Sequence, residues 1–425
     1  MFRRASALLV VSLLTPRFSL VAQSTPTTQD AALKHANELL AHTPLVDGHN
    51  DLPWEIRTDS AHPGDVAAYD IRGRVRGMTD IPRMRAGHLG GQFWSLYIPG
   101  EIKDSGFARV QLEQFDIARR MIAAYPKDLE LVTTADGLER AWRRGRIPSL
   151  LGMEGGHAIE NSLGALRVYY ELGARYMTIT HNVTLDWADA NSDTAAHGGL
   201  TRFGEEVIRE MNRLGMLVDL SHVSPSTMSD ALNVTQAPVI FSHSSARGIT
   251  DHTRNVPDSI LTRLRQNGGV VMVTFVPGFV SQAIKDSQAS YQTQIAHLTT
   301  GVTDSVQRRQ MSRDFRAAHP MPKATIADVV RHIEHVRDVA GSDHVGIGGD
   351  FDGIDDTPVG LEDVSTYPTL FAELIRRGWS DNDLKKLAGQ NVIRALRRAE
   401  QVAARLQRER APSTATIHQL DGTAH

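Results

Sequence analysis

An α/β chain folded as a single (β/α)8, or TIM, barrel is what this sequence predicts, on three observations. Eight short apolar runs alternate with helical stretches, at residues 45–51, 93–98, 149–154, 175–181, 216–222, 239–243, 270–275 and 345–350. Several of them are continuous Val, Ile, Leu and Met stretches without strict alternation, as expected of parallel strands buried on both faces. No G-x-G-x-x-G turn follows an early strand, which counts against an open doubly wound sheet, the nearest alternative. At 425 residues, 41% apolar and 22% charged, the chain has the length and composition for one such barrel with insertions.

The elements follow in order. Residues 1–23 carry Arg3, Arg4 and Arg17 but no acid, with an apolar run from Ala5 to Leu14 and small residues around Ala22. This is the pattern of a secretory signal peptide cut near Ala22 or Gln23, and it predicts an exported protein, periplasmic or secreted. Arg3-Arg4 is also one part of a twin-arginine signal, without the rest of that pattern. The run is too short to span a bilayer, and no other stretch approaches about 18 uninterrupted apolar residues, so no transmembrane helix is expected. Residues 24–34 read as a polar linker and 35–405 as the barrel. Between the strands, helical patterns cover 108–124, 163–172, 204–214 and 326–339, the last with apolar positions at helical spacing. Residues 406–425 lack periodicity and are expected to be loose.

Charge and cysteine content narrow the function. With 46 basic and 49 acidic residues the formal net charge is −3, and no long basic run offers a nucleic-acid footprint. Cysteine is absent, so disulfides, a thiolate nucleophile, a Cys-ligated zinc and a covalent dimer are excluded; a non-covalent homodimer is not.

The chemistry sits where the strands end. His49 and Asp51 close the first run, Glu154 the third, His181 the fourth, His222 the fifth, His243 the sixth and Asp350 the eighth. In a barrel these C-terminal ends converge on one mouth, where barrel enzymes keep their active sites. His49 and Asp51 are two apart and point to the same side of a strand. Alone, each residue has an ordinary structural explanation: a strand-end His is usually hydrogen-bonded, and Asp51 or Glu154 would cap the next helix. Together, five imidazole and carboxylate donors on four strand ends suit Zn2+ or a related divalent ion. His49, Asp51, His222 and His243 serve as terminal ligands, with Glu154 able to bridge. That is enough for two metals, and two ions about 3.5–4 Å apart with a hydroxide between them form a hydrolytic device.

These residues lie in stretches that resemble the membrane (renal) dipeptidase family, a branch of the amidohydrolase-like metal-dependent hydrolase barrels. The matching motifs, in the family's order, are Asp47-Gly48-His49-Asn50-Asp51, Gly152-Met153-Glu154-Gly155-Gly156, Thr180-His181-Asn182, Leu220-Ser221-His222-Val223-Ser224, Phe241-Ser242-His243-Ser244-Ser245-Ala246-Arg247, His252-Thr253-Arg254-Asn255, Gly348-Gly349-Asp350-Phe351-Asp352-Gly353 and Gly360-Leu361-Glu362-Asp363-Val364. The first has His49-x-Asp51 where many related barrels have His-x-His. The resemblance implies a binuclear zinc site, with His49 and Asp51 on one ion, His222 and His243 on the other, and Glu154 bridging. It further implies that His181 and Arg254 touch substrate and that Asp350 handles the proton. Arg254 offers a fork of donors matched to the free carboxylate of a dipeptide, His181 can donate to an oxyanion, and Asp350 can act as acid and base. Unlike the best-known animal members, the chain shows neither cysteines nor a hydrophobic lipid-anchor signal.

Other readings stay open. The same ligand set would serve a related metal amidohydrolase acting on N-acyl amino acids or lactams, or a non-catalytic metal- or peptide-binding barrel. His157, His252 and Asp352 are expected to organise loops, His332, His335 and His344 to be solvated, and 186–189 to line the substrate side chain.

Overall fold

The computed structural model describes residues 28–101, 106–302 and 305–422. Its strands are β1 (Leu45–Asn50), β2 (Leu89–Tyr97), β3 (Leu129–Leu131), β4 (Ile147–Glu154), β5 (Ala174–Thr178), β6 (Leu217–Asp219), β7 (Ile240–Phe241), β8 (Val270–Val273) and β9 (Val345–Ile347). Eight of them form a closed parallel barrel in the order β2-β1-β9-β8-β7-β6-β5-β4. Pairing of β2 with β4, from Gln92 opposite Ser149 to Tyr97 opposite Glu154, shuts it. All eight expected runs are therefore barrel strands. β3 is additional and pairs only with Ile147–Ser149 at the start of β4; its three residues, Leu-Glu-Leu, are too few to show a period.

Several strands end before their apolar runs do. β5, β6, β7 and β9 stop two or three residues before His181, His222, His243 and Asp350. Those side chains sit on the first turn beyond the strand, where the backbone changes direction. His222 and Asp350 are left-handed there, at φ 67° and 64°, a conformation that L residues hold only when surrounding contacts impose it.

Glycines set how closely the strands approach inside the barrel. A Cβ on Gly152 would come within 2.0 Å of the Tyr176 ring, and one on Gly48 within 2.5 Å of Met272 Sδ. The helices Phe107–Ala124, Leu163–Glu171, Arg202–Leu214 and Ile326–Ala340 lie where the periodicity places them. Ser162 and Thr201 cap two of them, accepting from Ala165 N–H and Gly204 N–H and satisfying a donor that the first turn leaves free.

Both ends of the described chain differ from expectation. The segment read as a linker is helical from Thr28 to Ala41, with Ala36 and Leu40 buried, and lies against the helix Tyr367–Arg376. After the helix Asn391–Glu409 the tail forms the short helix Ile417–Asp421, held by polar contacts together with Ile417 and Leu420 packed against the core, too short a stretch to show a period. Arg167 donates to the Ser413 carbonyl at 2.8 Å, and Asp421 accepts from the Thr201 hydroxyl at 2.7 Å and the Phe203 N–H at 3.2 Å. The proposed signal segment, 1–23, lies outside the described residues. Among the described residues no helix is long and apolar enough to cross a membrane.

Candidate metal centre

At the C-terminal mouth of the barrel His49, Asp51, Glu154, His222, His243 and Asp350 come together, all buried. Glu154, at the end of β4, faces two ways. Its Oε1 lies 3.1 Å from His222 Nε2 and 3.4 Å from His243 Nε2. Its Oε2 lies 3.4 Å from His49 Nε2 and accepts from the Ser95 hydroxyl at 3.1 Å. Asp51 Oδ2 is 3.2 Å from His49 Nε2. Three groups thus have ligand atoms close enough for one ion: His49, Asp51 and Glu154; Glu154, His222 and His243; and His49, His243 and Asp350. The first two reproduce the paired arrangement expected from the sequence, with Glu154 common to both. The third brings Asp350 within ligand reach as well, its Oδ1 3.9 Å from His49 Nε2.

Neighbouring groups fix which nitrogen of each imidazole is free. Asn182 Oδ1 accepts from His222 Nδ1 at 3.2 Å. Ser242, which donates its own hydroxyl to Asp219, takes the His243 Nδ1 proton at 2.9 Å. Tyr176 donates to the Gly48 carbonyl, so its oxygen accepts from His49 Nδ1 at 3.0 Å. All three Nε2 atoms then face the cluster, oriented as in metal sites whose ligating histidines are held through their other nitrogen. His222 Nε2 and His243 Nε2 stand only 2.9 Å apart, an arrangement of two lone pairs that a shared cation relieves. His49 Nε2 and Asp51 Oδ1 are buried with no hydrogen-bond partner, a costly state unless a ligand satisfies them. The donor set fits divalent metal. Asp51 also occupies the N-cap position of the helix Leu52–Arg57 but makes no side-chain cap bond, so capping does not explain it.

Charge agrees with this. Burial pushes the His222 and His243 imidazoles well below their ordinary value, with Arg254 adding to the effect, so both are neutral. Burial opposes the charge on Glu154, yet His49 and the hydrogen bonds from the surrounding imidazoles hold it well below the carboxylate range. Burial also opposes a charge on His49, but Tyr176, Glu154 and Asp51 outweigh it and hold the imidazole well above its ordinary value; positive charge is favoured at that point. Burial lifts Asp350 to about 8.

The cluster forms the floor of a cavity of about 940 Å3. His181 lines it, its ring 4.3 Å from that of His222 and 4.9 Å from that of Tyr97, and burial lowers its pKa. Arg254 lines another wall, donating to the Ser244 hydroxyl and the His243 carbonyl, both at 3.2 Å. Burial brings its guanidinium down to about 10, still cationic at neutral pH. Among the described residues no carboxylate forms an ion pair with it. Phe279 stands 5.3 Å from the guanidinium and 4.4 Å from the His252 ring, and His252 accepts from Arg254 N–H.

A family model described as "Membrane dipeptidase (Peptidase family M19)" matches residues 33–410. The chain belongs to this family. Dipeptidase 3 of Mus musculus is 41% identical to it over 374 residues, which is 87% of this chain and 67% of the mouse protein. Among solved structures, the probable dipeptidase PvdM from Pseudomonas aeruginosa superposes with a TM-score of 0.75 at 23% identity, over 88% of this chain and 100% of that one. A Rhodobacter sphaeroides metallopeptidase, solved with a phosphinate mimic of L-Ala-D-Ala, has a TM-score of 0.69 at 25% identity, over 84% and 99% of the two chains. This M19 chain therefore has the barrel of its family.

Several secondary expectations need correction. The 186–189 segment does not line the cavity: Trp187 is buried against Phe203, and Asp189 accepts N–H groups of Ala196, His197 and Gly199. Asn182 and Ser192 line it instead. His332 and His344 are buried, not solvated: His332 lies on the inward face of its helix, and His344, on the turn after that helix, bonds the Gly269 carbonyl; His335 is half-buried and bonded to Asp258. His157 and His252 are structural as expected, His157 bonding the Ile98 carbonyl. Sequence reasoning missed Tyr97, Tyr176, Asp219 and Phe279, which are neither ligands nor all at run ends. One signal was available: Asp47, two residues before His49, accepts its N–H, and Asp219, three before His222, accepts from the Ser242 hydroxyl that bonds His243.

Proposed function

We propose that this M19 chain is an exported dipeptidase holding two Zn2+ ions, His49 and Asp51 on one, His222 and His243 on the other, with Glu154 between them. The observation that carries the reading is Glu154, whose Oε2 faces His49 Nε2 while its Oε1 faces His222 Nε2 and His243 Nε2. A bound pair of divalent ions supplies Lewis acidity and water that ionises near neutral pH. The remaining work falls to the chain. Arg254 holds the substrate's C-terminal carboxylate, for which a buried guanidinium free of carboxylate partners is suited. Neutral His181 donates a hydrogen bond to the oxygen of the scissile carbonyl as charge develops there. Asp350 takes a proton from the attacking water and returns it to the leaving amine, and a carboxyl lifted to about 8 is poised for both transfers.

Metal analysis of the purified protein, with a panel of dipeptides and their N-acetylated counterparts, tests this. The expected result is two zinc ions per chain and turnover of the free dipeptides. Equal or better turnover of the blocked compounds would assign the site to other small amides, and absence of turnover with metal bound would make it a binding protein.

A further inference from the structure

Residues 58–80 connect the helices Leu52–Arg57 and Ile81–Ala86 without forming helix or strand, and Arg76, Gly77 and Met78 form part of the active-site wall. The placement of such a segment depends on side-chain ties. Two converge on the ends of β1 and β9. Asn50 Nδ2 donates to Thr79 Oγ1 at 2.7 Å, and Asp352 Oδ1 accepts the Met78 N–H at 2.5 Å. The contact is close, since a Cβ on Gly77 would fall 2.4 Å from Asp352 Oδ1.

Asp352 also ends a strained turn. Asp350 and Asp352 are both left-handed, at φ 64°, and neither is glycine, so contacts outside the turn must hold it. On the barrel side, Asp350 N–H donates to the His49 carbonyl at 3.2 Å and Asp51 N–H to the Phe351 carbonyl at 3.0 Å. On the far side the tie is Asp352. We propose that Asp352 is a positioning residue: bound to the Met78 N–H, its carboxylate holds the turn that aims Asp350 into the metal cluster. This rests on the proton-handling role given to Asp350 above.

The test is a double-mutant cycle on the metal-loaded enzyme, reading bound metal, kcat and KM with an unblocked dipeptide. Asp352→Ala is expected to keep the wild-type metal content while kcat falls by about 10- to 100-fold, the scale of a displaced catalytic group. Asp352→Asn should restore most of the loss, because its amide oxygen still accepts from Met78 N–H. In an Asp350→Asn background Asp352→Ala should cost nothing further, since the group it positions no longer transfers a proton. A full loss in that background, loss of metal, or an unchanged kcat would overturn the proposal. If Asp350→Asn alone leaves kcat intact, the role of Asp350 itself fails, a result separable from any behaviour of Asp352. Should Asp352→Ala not fold, Thr79→Val removes one tie and is expected to give a smaller fall with the same non-additivity.

Discussion

Glu154 and Asp350 are both buried carboxylates at the cluster, yet their surroundings assign them different work. Glu154 faces three imidazoles and is held ionised, whereas burial lifts Asp350 to about 8, where a carboxyl can both take up and release a proton near neutral pH. Glu154→Ala should therefore abolish metal binding, measured as zinc per chain. Asp350→Asn should keep the metal and lower turnover by on the order of 10²–10⁴, the usual worth of a positioned acid–base group; loss of metal from it would make Asp350 a ligand. Arg254→Met is expected to raise KM for dipeptides with a free C-terminus and to matter much less for their C-terminal amides, which have no carboxylate to pair. His332, remote from the cluster, gives a pH prediction. It accepts from Ala246 N–H and bonds the Val280 carbonyl, and burial holds it at about 4. The unfolded chain takes up this proton below about 6.5 and the folded chain does not, so stability present above that pH is lost as pH falls toward 4. By chemical denaturation, the stability gap between wild type and His332→Gln should narrow over that window by up to roughly 3 kcal/mol.

At the scale of the element, the strand ends meet because glycine lets backbones touch. A Cβ on Gly348, just past β9, would lie 1.8 Å from the Ser242 carbonyl oxygen at the end of β7, and His243 follows immediately. Gly348→Ala must push these segments apart, at about 1–3 kcal/mol for an overpacked core position, and should weaken zinc retention at the same time. Gly73→Ala, where nothing lies within 4 Å, is the matched control and should change neither denaturation midpoint nor metal content.

Across the whole molecule, the proposed ligands come from β1, β4, β6, β7 and their exits, so a bound metal would tie together strands far apart in sequence. Ligands that bind only the folded state stabilise it by mass action, about 2.7 kcal/mol per site at a hundredfold excess over Kd. Chelation should lower Tm in calorimetry, and returning metal should restore it in a concentration-dependent way. A Tm insensitive to both treatments would mean that these residues hold no ion.

Much of this architecture follows from the sequence alone. Continuous apolar runs at regular intervals specify a parallel barrel, because strands buried on both faces require them. His49, Asp51, Glu154, His222 and His243 were legible for a related reason: barrel topology sends every strand end to one mouth, so position along the chain implies proximity. Side-chain direction beyond the strand ends was not legible. Whether His222 and Asp350 point inward depends on left-handed turns held by distant contacts, and those contacts carry no local pattern. Nor could sequence tell buried His332 from half-buried His335, three residues along one helix, since only the packing of that helix on the barrel separates them. The tail likewise shows no periodicity, because it docks through a few scattered contacts of Ser413, Ile417, Leu420 and Asp421. Local chemistry determined which groups the site contains; the tertiary structure decided which nitrogen faces the metal, because Tyr176, Asn182 and Ser242 fix each tautomer from elements far along the chain.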